Sequence, residues 1–165
     1  MDLRPAEPAD ATAIAAIYAH YVTNSAATFD DAAPGAEHFA EKIAEVRSAR
    51  LPFLVADEQG EVRGYGFLAP YSPRGAYRHT VENSVYVAPD ARGRGVGRAL
   101  LERLLAEGQD GGVREVIAII AVTDDPASVA LHRALGFREA GRLESVGFKH
   151  GRWHDTLLMQ RSLAP

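Results

Sequence analysis

The chain of 165 residues has no cysteine. That excludes disulfides, thiolate metal sites and a cysteine nucleophile, and it fits a reducing compartment. There is no basic excess: 18 Lys and Arg against 22 Asp and Glu leave a net charge of -4 at pH 7, so the bulk charge carries no nucleic-acid footprint. No run approaches the roughly 18 apolar residues of a membrane helix. Met1-Asp2-Leu3-Arg4-Pro5 lacks a basic stretch followed by an apolar core. A cytoplasmic protein with no membrane or nucleic-acid partner is expected. No repeat, low-complexity tract or Pro/Gly/Ser linker divides the sequence, which predicts a single domain over residues 1–165. Hydrophobic residues at 47% and charged residues at 24% argue against disorder, and the length suffices for a core without staples.

The pattern along the chain predicts a mixed α/β sheet. Leu3 and Arg4 before Pro5 allow a short first strand, and Asp10 is placed to cap a helix through about Asn24 with Ile14, Ile17, Tyr18 and Tyr21 on one face. A second helix is read from about Ala36 to Arg50, carried by Phe39, Ile43 and Val46. Phe53 to Ala56, a turn at Asp57 to Gly60, and Val62 to Ala69 form an antiparallel hairpin. Thr80 to Val87 is the next strand, followed by a helix to about Glu107, a strand Val116 to Val122, and a helix from Pro126 to Gly136. Phe137 to Leu143 and Asp155 to Leu163 read as the last two strands.

The most informative segment joins Val85-Tyr86-Val87 to the third helix. The turn Arg92-Gly93-Arg94-Gly95-Val96-Gly97-Arg98 alternates glycine with arginine between a strand and a helix. The first N–H groups of a helix lack intrahelical partners, glycine admits close approach to them, and Arg92, Arg94 and Arg98 add positive charge. A seat for a phosphate-bearing ligand follows. No lysine follows the glycines, as a P-loop requires, and G-x-G-x-G is not the dinucleotide pattern G-x-G-x-x-G.

Arg92, Gly95 and Gly97 in this setting resemble the R-x-x-G-x-G acetyl-CoA motif of the GCN5-related N-acetyltransferase (GNAT) superfamily. Three further segments resemble its phosphinothricin and methionine sulfoximine acetyltransferase branch: Ser25-Ala26-Ala27-Thr28-Phe29, Arg74-Gly75-Ala76-Tyr77 running on through Thr80, Glu82 and Val85-Tyr86-Val87, and Gly147 to Asp155. With Leu135-Gly136-Phe137 the resemblance spans essentially the whole chain. It implies a GNAT fold, a mostly antiparallel twisted sheet flanked by helices, with acetyl-CoA at a central strand-loop-helix. It implies backbone N–H groups near Val85, Tyr86 and Val87, where the strand bulges, as oxyanion donors, and the loop from Arg92 to Arg98 as the pyrophosphate seat.

The same resemblance makes Glu82 the general base, acting on the amine through water, and places His132 at the position of the acid that protonates the thiolate. For His132 the alternative is a helix-surface histidine, solvated or capping a carbonyl. Asp125 and Ser128 fall at pantetheine-contacting positions; Asp125 replaces the family's asparagine and as a carboxylate accepts but does not donate. Phe29, Arg74 and Tyr77 are implied to line the amino-acid site. Trp153 is a further candidate wall. Lys149 and Arg152 are either anion readers or solvated charges in a hairpin loop. No metal is expected, because His150, His154 and Asp155 lack a third histidine at ligand spacing.

The expected reaction is acetyl transfer from acetyl-CoA to the α-amino group of phosphinothricin, methionine sulfoximine or methionine sulfone, by direct attack in a ternary complex, in a homodimer paired through its C-terminal region. Two alternatives stay open on the sequence. One is acetylation of another primary amine, such as a polyamine or peptide N-terminus; the other is an acyl-CoA-binding sensor without catalysis.

Overall fold

A computed structural model describes residues 1–164. Strands β1 (Asp2–Pro5), β2 (Phe53–Glu58), β3 (Glu61–Pro70), β4 (Thr80–Val87), β5 (Glu115–Ala121), β6 (Arg138–Lys149) and β7 (Arg152–Ser162) form one sheet in the order β1-β2-β3-β4-β5-β7-β6. Only the β4–β5 pairing is parallel. Helices are α1 (Ala11–Asn24), α2 (Ala36–Ser48), α3 (Val96–Asp110) and α4 (Ala127–Ala134).

Alternation along β3 assigns the two faces. Tyr65 stacks on Phe53 and Tyr86 and meets the edge of Phe39, so this face carries α1 and α2. Gly64, Gly66 and Leu68 turn to α3. A Cβ on Gly66 would lie 2.9 Å from Leu104 Cδ1 and 2.9 Å from the Ser84 carbonyl oxygen, so the bare backbone is what lets α3 rest on the sheet. Leu100, Leu101 and Leu104 are fully buried there, and Ile14, Ile43 and Val55 on the other side. Each such side chain removed from water contributes about 1.5–3 kcal/mol.

Three local expectations are corrected. Asp10 does not cap α1 with its side chain. A tight turn, Pro8–Asp10, precedes the helix, so the carboxylate folds back to accept from the Glu7 N–H at 2.8 Å and from the Arg4 guanidinium at 2.8 and 2.9 Å. The second helix stops at Ser48 rather than Arg50, whose φ of 57° is left-handed. The largest difference is at the C-terminal end, where residues 144–154 were expected as loop but belong mostly to a long β6–β7 hairpin. His150 and Gly151 both have positive φ, the geometry of a two-residue hairpin turn, and Phe148 pairs with Trp153 and Lys149 with Arg152. An irregularity between Leu143 and Gly147, with Ser145 at φ 51°, interrupts the alternation that would have marked a strand.

Candidate functional site

The site grows from a parting of two strands. β4 and β5 pair only from Thr80 to Glu82 against Glu115 to Ile117, although β4 continues to Val87 and β5 to Ala121. In β4 the Thr80 carbonyl accepts from the Tyr71 N–H and the Ala88 N–H donates to Arg63, so even-numbered backbone groups face β3. The N–H groups of Val85 and Val87 therefore face the gap where β5 has turned away. The expected bulge is absent: β3 and β4 pair in register from Gly64–Val87 to Pro70–Val81. Strand separation, not an inserted residue, frees these donors. The Val87 carbonyl is taken by the Tyr21 hydroxyl at 2.5 Å.

A cavity of about 680 Å³ fills the gap. Glu82 to Val87 form one wall, Ala118 to Ala121 the other; Gly93 and Gly95 to Arg98 close one end, and Ser128, Leu131 and His132 of α4 cover it. Arg92, Asp125 and Tyr21 also line it. Gly93 and Gly95 have φ of 73° and 83°, and nothing lies within 4 Å of where a Cβ would be, so the turn is open to a ligand. The Gly95 carbonyl accepts from the Ala99 N–H, leaving the N–H groups of Val96, Gly97 and Arg98 without partners inside α3. A smaller cleft of about 450 Å³ behind α4 shares only Ala121, Thr123 and Asp125 with this cavity.

Each of the three arginines is paired with a carboxylate. Arg92 pairs with Asp125, Arg98 with Glu102 at 2.9 Å, and Arg94 turns out of the cavity to Glu58 at 2.8 Å. Arg92 and Arg98 line the cavity. Asp125 also accepts from the Ala127 N–H at 3.0 Å, so it ties the first residue of α4 to Arg92.

Glu82 lies on the half of the cavity facing α1 and α2. Burial pushes its carboxyl pKa up, opposed only by the more distant Lys42, whose ammonium is paired with Glu45 at 2.9 Å. Among the described residues Glu82 has no ion-pair partner. A half-buried carboxylate without a cation is suited to accept a proton. His132 is buried at 4% exposure, which removes the surface-histidine reading but keeps its carbonyl contact: Nδ1 lies 2.7 Å from the Ser128 carbonyl. Nε2 lies 3.0 Å from Asn83 Nδ2. Burial lowers its pKa, and the Ser128 carbonyl partly offsets this.

Phe29, Arg74 and Tyr77 do not line the cavity. Arg74 and Tyr77 sit on the exposed loop joining β3 to β4, where Tyr77 meets the edge of Tyr71. Phe29 lies over Gly147, whose Cβ would come within 2.3 Å of its ring, and leans on His154. Lys149 is neither solvated nor presented to a ligand: it is 6% exposed and donates to the Thr28 carbonyl at 2.7 Å, tying the loop after α1 to the hairpin. Arg152 and Trp153 are exposed, with Trp153 against Phe148 instead of walling a pocket. No cluster of metal-ligating side chains exists among the described residues, and no helix is long and apolar enough to cross a membrane.

Sequence reasoning missed Asn83 and Tyr21 as residues of the site, and its two readings of Lys149 both left out the buried contact to Thr28. Tyr21 was read as core from its helical spacing; for Asn83 the only signal was a polar residue inside an apolar strand.

The model of the acetyltransferase (GNAT) domain matches residues 3–158. The chain is 49% identical, over 93% of its length and 78% of the relative's, to a phosphinothricin N-acetyltransferase of Alcaligenes faecalis. It is 37% identical, over 99% of its length and 95% of the relative's, to an L-methionine sulfoximine/L-methionine sulfone acetyltransferase of Salmonella typhimurium. A GNAT superfamily phosphinothricin acetyltransferase from Sinorhizobium meliloti, solved in complex with acetyl-CoA, superposes with a TM-score of 0.94 at 43% identity, over 99% of this chain and 88% of that one.

Proposed function

The chain belongs to the GNAT acetyltransferase family and is an acetyl-CoA-dependent N-acetyltransferase, and on that premise we propose that it acetylates the α-amino group of small amino acids of the phosphinothricin, methionine sulfoximine and methionine sulfone type. The observation that carries the substrate reading is the identity of 37% and 49% along nearly the whole chain to enzymes named for those substrates.

In the proposed reaction acetyl-CoA enters with its pyrophosphate on the N–H groups opening α3 and its thioester between β4 and β5. Glu82 takes a proton from the substrate ammonium, directly or through water, and the free amine attacks the thioester carbonyl. The N–H groups of Val85 and Val87 face the gap in which the negative oxygen develops, where preorganised donors act most strongly. As the C–S bond breaks and the C–N bond stays, the nitrogen gives up its second proton to water in the cavity, and the thiolate takes a proton from His132 in its protonated form. Direct attack is supported by the absence of a cysteine that could carry the acetyl group.

Arg74 and Tyr77, on the loop that ends three residues before Glu82, and Phe29, on the loop after α1, form the amino-acid side in this reading. The guanidinium fork of Arg74 suits a carboxylate or phosphinate. We further propose one GNAT domain over residues 1–165, acting in the cytoplasm as a homodimer. Pairing through the C-terminal hairpin is supported by the exposed apolar side chains Leu143, Val146, Phe148 and Trp153 on β6 and β7. Thiol release from acetyl-CoA with each candidate amino acid tests the substrate assignment, and the missing cysteine leaves no protein thiol to react with the reagent.

A further inference from the structure

We propose that Asn83 is a positioning residue that decides which nitrogen of His132 holds a proton, its side-chain amide turning over when the ring becomes doubly protonated. The inference rests on the reading of His132 as the proton donor to the thiolate.

Two contacts fix the resting state of the ring. A carbonyl oxygen only accepts, so Nδ1, 2.7 Å from the Ser128 carbonyl, carries a hydrogen. In the neutral ring Nε2 is then bare, and the group facing it at 3.0 Å is the Asn83 NH₂, which donates. Hence Nε2 as it stands has no proton to give. The other end of the same amide supplies the second half of the device. Asn83 is 7% exposed, its Oδ1 is buried, and that oxygen has no hydrogen-bond partner. A buried carbonyl left unpaired is costly, and few native structures keep one without a use. If Nε2 gains a proton, rotating the amide by half a turn brings Oδ1 to the position of Nδ2. Both nitrogens of the imidazolium then donate, to Ser128 and to Asn83, and the Nε2 proton can pass to the thiolate, after which the amide returns. The proton that Glu82 takes leaves to solvent and His132 regains one from solvent, so the cycle closes without a co-reactant.

The charged side chains on the elements around the ring are engaged elsewhere. Glu82 is on the opposite face of β4, Arg98 of α3 pairs with Glu102, Glu115 of β5 accepts from Gln160 and Ser162, and Arg133 of α4 pairs with Glu139. Arg161 of β7 donates to the Leu135 carbonyl. The edge of Phe137 covers the ring. Asn83 is thus the polar side chain placed to choose the protonation state.

The test is ¹⁵N NMR of the histidines in the whole protein, with the His132 signals assigned by their loss in His132→Gln, together with pH–rate profiles of Asn83→Asp and Asn83→Leu. The wild type is expected to show Nδ1–H and bare Nε2 at neutral pH. Asn83→Asp sets a carboxylate against Nε2 and should move the His132 titration up by about one pH unit or more, with the matching limb of the kcat profile following it. That shift should vanish when His132→Gln is added. Asn83→Leu, which removes the acceptor the doubly protonated ring would need, should move the titration down. A wild-type ring carrying Nε2–H, or a titration unmoved by Asn83→Asp, overturns the proposal, and the wild-type spectrum decides even if a variant does not fold. A moved titration with an unmoved rate profile upholds Asn83's control of the ring and refutes the acid role on which the inference rests.

Discussion

At the scale of single residues, the burial that suits Glu82 to the proposed role of base also costs stability. Its folded pKa is raised by desolvation above the unfolded value of about 4.3. Its favourable contribution is therefore fully present below the unfolded pKa and is lost as pH rises through the folded one. Above its folded pKa the ionised carboxylate is a liability, so Glu82→Gln should there melt higher than the wild type while kcat falls about 10²- to 10⁴-fold. Paired melting curves and rates check both halves together. On the wild-type enzyme, kcat/KM should rise with pH through the elevated Glu82 pKa. Arg92 gives the opposite pattern. Its pair with Asp125 is about half exposed, so Arg92→Ala should change stability by less than about 1 kcal/mol. It should nevertheless weaken acetyl-CoA binding about tenfold, the loss of one charge-assisted phosphate contact of about 1.5 kcal/mol; calorimetry with acetyl-CoA distinguishes the two.

Between elements, the site depends on close approaches that only small residues allow. The face of β3 toward α3 is lined by Gly64 and Gly66, and the Cβ of any other residue at Gly66 meets Leu104 and backbone at 2.9 Å. Gly66→Val should therefore cost about 1–3 kcal/mol by overpacking, measurable by urea denaturation, and should loosen α3, whose first turn is the proposed phosphate seat. Across the sheet, Lys149 holds the Thr28 carbonyl from the far end of the β6–β7 hairpin. Lys149→Met should raise the KM for the amino acid while leaving that for acetyl-CoA near its wild-type value, because only the loop bearing Phe29 is released. What could be read from sequence here was local. The glycine turn, the core faces of α1 and α2, and the whole of β4 follow from residue type and spacing within one element. The parting of β4 from β5, the Asn83–His132 contact and the burial of Lys149 each join residues about 30 to 120 positions apart, and no periodicity carries that information. The hairpin at residues 144–154 failed for the related reason that its irregularity breaks the alternation on which strand recognition depends.

At the scale of the whole molecule, one sheet does two tasks. Its centre opens between the parallel strands, where the proposed reaction puts the thioester, and its far end presents Leu143, Val146, Phe148 and Trp153 to the outside. If that edge is the dimer contact, light scattering will give twice 17.8 kDa for the wild type, and Phe148→Glu with Trp153→Glu will give a monomer. The central claim is the substrate class, and the measurement that tests it most directly is CoA release from acetyl-CoA by the purified protein with phosphinothricin, methionine sulfoximine, methionine sulfone, glutamate, spermidine and a short peptide compared at equal concentration. Turnover confined to the phosphinate, sulfoximine and sulfone amino acids is the predicted result. Preferred turnover of spermidine or the peptide, or tight acetyl-CoA binding with no turnover of any amine, would contradict it.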